Sequence, residues 1–148
     1  MKFNVKAAIA AGVVGTIAFD LVGLLLTGTW WDIPNLLGAK LGVGIYAGVL
    51  AHYANGVVLT VLFVALADKI PGPRWSRAFT FITAHTIFGV WLFMLPLLDM
   101  GIAGLGVSAM IPIITMARHW AYAGAMTLTL QALSTRSADL TNSAPINA

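Results

Sequence analysis

Apolar residues run along this chain in four long blocks, separated by short breaks that are polar or rich in glycine and proline. A helix rises about 1.5 Å per residue, so roughly 20 apolar residues cross a hydrocarbon core about 30 Å thick. The blocks at about 5–26, 43–67, 77–98 and 112–133 each reach that length. The last is the least uniform, because Arg118 and His119 stand in its first two turns. The pattern predicts an all-α fold: a four-helix transmembrane bundle forming a single domain over 1–133, with both termini cytoplasmic. Residues 134–148 read as a disordered polar tail with little to pack.

The breaks carry their own signals. Trp30-Trp31-Asp32-Ile33-Pro34-Asn35 combines turn formers with aromatics suited to the headgroup level, and 36–41 reads as a short helix on the membrane surface. Asp68 to Arg77, with Pro71-Gly72-Pro73, predicts a compact polar turn. The stretch 99–107, with Gly101, Gly104 and Gly106, predicts a flexible or partly re-entrant loop. The basic start and apolar run of the first block suggest a signal peptide. The run continues to Leu26, however, is interrupted by Asp20 and lacks a small-x-small cleavage site before Trp30, so it reads as a retained helix.

Lys and Arg set the expected orientation. Lys2, Lys6, Lys69, Arg74, Arg77 and Arg136 fall on one side of the predicted spans, against Lys40 and Arg118 on the other. The larger set marks the cytoplasm. The Trp-rich and Gly-rich loops then face the periplasm of a bacterial cell inner membrane.

Composition sharpens this picture. Of 148 residues 59% are hydrophobic and 9% charged, far below the roughly 25% charged of soluble domains. The lipid bilayer is the solvent that tolerates such a surface. The pI of about 9.6 comes from basic residues too few and scattered for a phosphate-binding face, so no nucleic acid partner is expected. There is no cysteine, which excludes disulfides, thiolate ligands and a Cys nucleophile. There is no glutamate either, so every acidic side chain is one of five Asp.

In lipid, close approach of small residues holds helices together. Gly44, Gly48, His52 and Gly56 recur every four residues on the second span, and Gly12, Thr16, Asp20, Gly23 and Thr27 line one face of the first. His85 and Gly89 repeat the His-xxx-Gly spacing on the third, and Ala117, Ala121 and Gly124 lie along the fourth. These glycines predict helix–helix interfaces, with a homo-oligomer on the Gly44–Gly48 face as a weaker possibility.

Ionisable groups inside a membrane are costly and usually face the bundle interior. Asp20, His52 and His119 each fall roughly 10–12 Å below the outer ends of their helices, so three spans bring them to one level; His85 falls lower. Two kinds of reading stay open. Asp20 and Arg118 neutralise one another while the histidines hydrogen-bond locally, or the group forms a site. As a site, His52 and His119 are candidate ligands of a b-type haem. Alternatively Asp20, His52 and His119 are candidate ligands of a divalent metal, or members of a proton relay. No HExxH, phosphate loop, nucleotide fingerprint or Ser nucleophile motif is present.

The turn Asp32-Ile33-Pro34-x-Leu36-Leu37-Gly38, the His52-xxx-Gly56 helix, the Ile70-Pro71-Gly72-Pro73 turn and the stretch His119-Trp120-Ala121-Tyr122-Ala123-Gly124 belong together. Taken as a set they resemble a family of small, uncharacterised bacterial four-helix membrane proteins, over roughly 7–133. The resemblance implies the four-helix fold and marks Pro34, Gly38, His52, Gly56, His119 and Gly124 as family positions. Asp20 and His85 depart from its pattern, and it implies no particular activity.

The expected function is therefore a small, non-enzymatic inner-membrane accessory subunit or interaction module, working in a larger membrane complex or as a homo-oligomer. The alternative is a cofactor-binding protein, with haem b or a divalent metal held by intramembrane histidines in electron transfer or metal handling.

Overall fold

The first helix begins where Asn4 accepts a hydrogen bond from the Ala7 amide (3.2 Å), a side-chain cap for one of the free N–H groups of a helix start. It ends at Gly28, whose left-handed backbone (φ 71°) lets its N–H reach the Leu24 carbonyl at 2.8 Å. Between these caps lies α1, Val5–Thr27. The computed structural model describes residues 4–142, and every regular element within them is helical. Lys2 and residues 143–148 of the expected tail lie outside the described residues.

The remaining elements are α2 (Asp32–Leu41), α3 (Gly44–Leu66) tightening into a 3-10 turn at Ala67–Lys69, and α4 (Arg74–His85). From α4 the chain continues unbroken through a π-helical segment, Thr86–Met94, and one closing α turn, α5 (Leu95–Leu97). We refer to α4, the π segment and α5 together as the third span. The last helix is α6, Ile111–Asn142.

Three segments among the described residues are long and apolar enough to cross a membrane: Val5–Thr27, Gly44–Lys69 and Trp75–Leu97. The expected fourth, α6, is long enough at 32 residues but is not among them; Arg118, His119 and Gln131 make it more polar. It also runs on to Asn142, past the expected boundary at 133.

Two breaks differ from expectation. Helix α2 starts at Asp32 rather than 36, because Pro34 falls in the first turn, where its missing N–H has no bond to lose. The turn is compressed into the four residues 28–31, with Gly28 (φ 71°) and Trp31 (φ 55°) in the left-handed region. The loop 99–107 is a tightly hydrogen-bonded turn in which Gly106 N–H donates to Met100 O at 3.0 Å. Asp99, Gly101, Ala103 and Gly104 all take positive φ there.

Helix α1 is central, packing on α3 along one side and on α6 along the other, while α2 folds back onto α3 and α4 lies against α6. Small residues allow these approaches. A Cβ on Gly12 would stand 2.7 Å from Val57 Cα, one on Gly15 2.8 Å from the Tyr122 ring, and one on Gly23 2.6 Å from the Arg118 guanidinium. Gly48 lies against the Pro34 carbonyl and Gly56 against Thr16 Oγ1. Gly44 and Gly124, expected at such interfaces, behave differently. Gly44 takes φ 77° at the start of α3 with nothing near its missing Cβ, so it serves the turn; Gly124 has only Phe79 at 3.9 Å.

The core runs through Phe19, Leu59, Phe63, Ile82, Tyr122 and Met126. Threonines inside the helices return their hydroxyls to the carbonyl four residues back: Thr16 to Gly12, Thr27 to Gly23, Thr86 to Ile82, Thr115 to Ile111 and Thr127 to Ala123. Helix α3 packs on α1 and the third span on α6; α3 and α4 meet through side chains, with the Phe63 and Phe81 rings 5.8 Å apart, and further along a gap opens between α3 and the π segment. That gap positions the site.

Candidate functional site

Two polar clusters occupy the half of the molecule near α2 and the 99–107 loop. The first is closed. Arg118, 2% exposed, makes a two-pronged pair with Asp32: Nη1 donates to Oδ1 at 2.9 Å and Nη2 to Oδ2 at 2.5 Å. Thr27 Oγ1 accepts from Nη2 at 3.4 Å, and the guanidinium lies 5.4 Å from the centre of the Phe19 ring, within cation–π range. The expected Asp20–Arg118 neutralisation is thus corrected. Gly23 opens the space into which the guanidinium fits, and its partner comes from α2, which depth along α1 does not reveal.

The second cluster is open. Asp20, 3% exposed, is engaged through both oxygens: His52 Nε2 lies 2.9 Å from Oδ1, and Tyr53 donates its hydroxyl to Oδ2 at 3.2 Å. Phe19 packs against His52 and against His119, with ring centres 5.3 and 5.0 Å apart. His119 Nδ1 lies 2.7 Å from the Thr115 carbonyl. A carbonyl only accepts, so Nδ1 carries the hydrogen and Nε2 is left on the other edge of the ring. His85, expected at a lower level, joins the same cluster with its ring 5.8 Å from His119. It rests over Gly89, where a Cβ would stand 2.9 Å from His85 Nδ1.

These rings line a cavity of about 450 Å³ in the gap between α3 and the third span, closed at its loop end by Ile33 and Leu37 of α2. The π segment supplies Gly89, Val90 and Phe93 to one wall; π turns in helices recur at functional sites. Asn55, also on the wall, is exposed and lies roughly 16 Å along α3. Among the described residues the buried side-chain atoms without a hydrogen-bond partner are Trp31 Nε1 and Arg118 Nε. The unbonded nitrogens of His52, His85 and His119 are not among them, so each keeps some accessible surface, and all three residues line the cavity.

The ligand candidates named from the sequence come together in one cluster, where His52 and His119 each already have one nitrogen engaged by the protein. Among the described residues no three His or Asp side chains converge as a metal site would require, and Asp20 is taken up by His52 and Tyr53. For a bis-histidine haem, His52 and His119 would have to face one another across a macrocycle. Instead Phe19 lies against both rings and His52 Nε2 is held by Asp20.

An ion pair spans the loop end of the gap: Lys40 Nζ, at the end of α2, lies 2.9 Å from Asp99 Oδ2, just after α5. The lysine holds the Asp99 carboxyl below its ordinary range, by hydrogen bond and by charge. Comparison with models of protein families, with curated proteins and with solved structures finds no match, so the chemistry of this cavity has to be read from its own geometry.

Proposed function

We propose that this chain is a non-enzymatic integral membrane protein that binds a lipid-soluble molecule in the cavity between α3 and the third span. In this arrangement α6 is a fourth span, completing a four-helix bundle. The Lys and Arg asymmetry puts the termini in the cytoplasm of a bacterial cell and the two loops of the Arg118–Asp32 end outside its inner membrane. The same four-span fold is what the resemblance to the small bacterial membrane family implies.

One observation carries the binding reading. Polar groups within apolar helices are expensive unless paired, yet three imidazoles and the Asn55 amide stand unpaired or half-paired around a space large enough for a ligand. Binding cavities commonly measure about 300–1,000 Å³ and combine apolar walls with a few polar groups. Ala51 and Phe93 on the cavity wall are exposed, so the proposed route in is lateral, from the bilayer.

The test is extraction. Protein purified in mild detergent is stripped with organic solvent and the extract analysed by mass spectrometry. A near-stoichiometric compound is expected with the wild type, and its loss with Ala51→Trp, which plugs the exposed wall of the cavity. No enrichment over bulk lipid would end the proposal. A Soret band or stoichiometric metal that disappears in His52→Ala and His119→Ala would return the site to the cofactor alternative.

The interaction-module reading is favoured by a different feature. An apolar groove of about 630 Å³ between the third span and α6, lined by Trp75, Phe79, Phe88 and Trp120, is suited to a helix of a larger complex or of a second copy. Its test is native purification: a partner or dimer lost in Phe88→Ala supports it, and a strictly monomeric particle counts against it.

A further inference from the structure

The cavity also says what kind of polar group its occupant brings, an inference that rests on the binding reading above. A neutral imidazole has one donor and one acceptor nitrogen, and whatever engages the first fixes the role of the second. At His119 the Thr115 carbonyl requires Nδ1–H, so Nε2 offers a lone pair. At His52 the Asp20 carboxylate accepts, so Nε2 carries the hydrogen and Nδ1 is the open edge. This carboxylate–imidazole pairing orients the ring, as carboxylates behind metal-bound histidines do elsewhere. Both fixed histidines therefore meet the cavity with acceptors. Among the described residues that line the cavity, the donors whose orientation is free are His85 and Asn55.

Space and surroundings narrow the occupant further. A cavity of ~150 Å³ takes one benzene ring, so about 450 Å³ admits a substituted ring with the first part of a tail. Phe19, Phe93 and the imidazoles supply aromatic walls, and the gap toward lipid leaves room for the rest of the tail. We infer that the cavity selects a lipid-soluble aromatic hydroxyl compound, of the hydroquinone or phenol class, whose O–H donates to His119 Nε2. His52 Nδ1 is placed to accept a second hydroxyl. The oxidised or O-alkylated form of the same molecule lacks this donor and leaves the acceptors unanswered. Sites built around one partner discriminate strongly against an analogue that lacks it.

The experiment uses the full chain in lipid nanodiscs and three probes: a decyl-substituted 1,4-hydroquinone kept reduced, the corresponding quinone, and the hydroquinone dimethyl ether. Binding is read by quenching of tryptophan fluorescence and checked by calorimetry. The expected result is hydroquinone binding at least tenfold tighter than either analogue, with that preference lost in His119→Phe and kept in Thr115→Val, which leaves the backbone carbonyl that fixes Nδ1 in place. Because His119→Phe could perturb the fold, each variant is first compared with wild type in thermal unfolding, and His119→Gln provides a second variant that keeps polarity and size. Equal binding of all three probes, abolished by Ala51→Trp, would overturn the hydroxyl preference and leave the cavity reading standing. Tighter binding of the quinone would show that the site donates, and also overturns the inference. Binding of none of the three, or binding unaffected by Ala51→Trp, overturns both.

Discussion

Arg118 and His119 are neighbours in sequence, yet their surroundings follow opposite rules. Around Arg118 polar capacity is nearly used up: Asp32 answers both terminal nitrogens, Thr27 adds a third contact and Phe19 covers the face. Around His119 one nitrogen is fixed and the other left open, beside two more imidazoles and a wall of the cavity. A charge with no exit has been closed for stability, while groups of similar expense a turn away have been kept available. In the proposed membrane setting the difference between a fastening and a site lies in whether an unanswered valence is shut in, as Arg118 Nε is, or belongs to a residue lining a cavity.

The comparison breaks most readily at the fastening. Arg118→Ala strands Asp32 and is expected to cost about 3–5 kcal/mol, the usual loss when one partner of a buried pair is removed. Replacing both, Arg118→Met with Asp32→Leu, should regain most of it. Unfolding in detergent by SDS titration reads both, and a single variant within error of wild type would mean the pair holds nothing. Next in size is Gly12→Ala, whose Cβ meets the α3 backbone. Overpacking of that kind costs roughly 1–3 kcal/mol and should appear in the same titration.

Smaller effects sharpen the contrast. Tyr122 donates to the Gly56 carbonyl and lies 2.6 Å from Thr60 Oγ1, so Tyr122→Phe should lose about 0.6 kcal/mol, up to about 1.7, as such bonds do in membranes. His119→Phe should cost no more than that one-bond loss of about 0.6 kcal/mol while removing ligand preference. A loss comparable with that of Arg118→Ala would make His119 a fastening too. The smallest effect belongs to Lys40–Asp99. Its carboxyl titrates below the ordinary value when folded, so the bridge contributes above the unfolded carboxylate range and fades as pH falls below about 4. Comparing Asp99→Asn with wild type at pH 7 and pH 3 should show a slight difference at the first and none at the second, shrinking in high salt.

Much of this was legible from residue order. The apolar blocks match α1, α3 and the third span nearly to their ends, and Gly12, Thr16, Asp20 and Gly23 of the expected line are buried on α1, whereas Thr27 is exposed. The level shared by Asp20, His52 and His119 also corresponds to one cluster. What depth alone could not supply was rotation about each helix. Asp20 and Arg118 lie at similar heights, yet Asp20 turns to α3 and Arg118 to α2. Asp32 was hidden because Trp30 to Asn35 reads as a turn, whereas Pro34 in a first helical turn is equally compatible with those letters. His85 was placed too low because an α-helical rise was applied to a span that is π-helical from Thr86 to Met94. A π turn advances less per residue, so the loop end lies closer to His85 than counting suggests.

The threonines that bond back to their own helices bear on how such a chain is made. A hydroxyl satisfied four residues earlier needs no neighbour, so each of these side chains is accommodated as soon as its own turn has formed, before any other span has arrived. If the proposed four-span arrangement holds, Thr16, Thr86 and Thr127 add little to the cost of releasing their helices one at a time into lipid during synthesis. The groups that do require a neighbour, Asp20 and Arg118, find theirs in segments that follow it and precede it, respectively. Assembly of this protein is thus expected to depend on the order in which its segments emerge at those two positions and to be indifferent to it elsewhere.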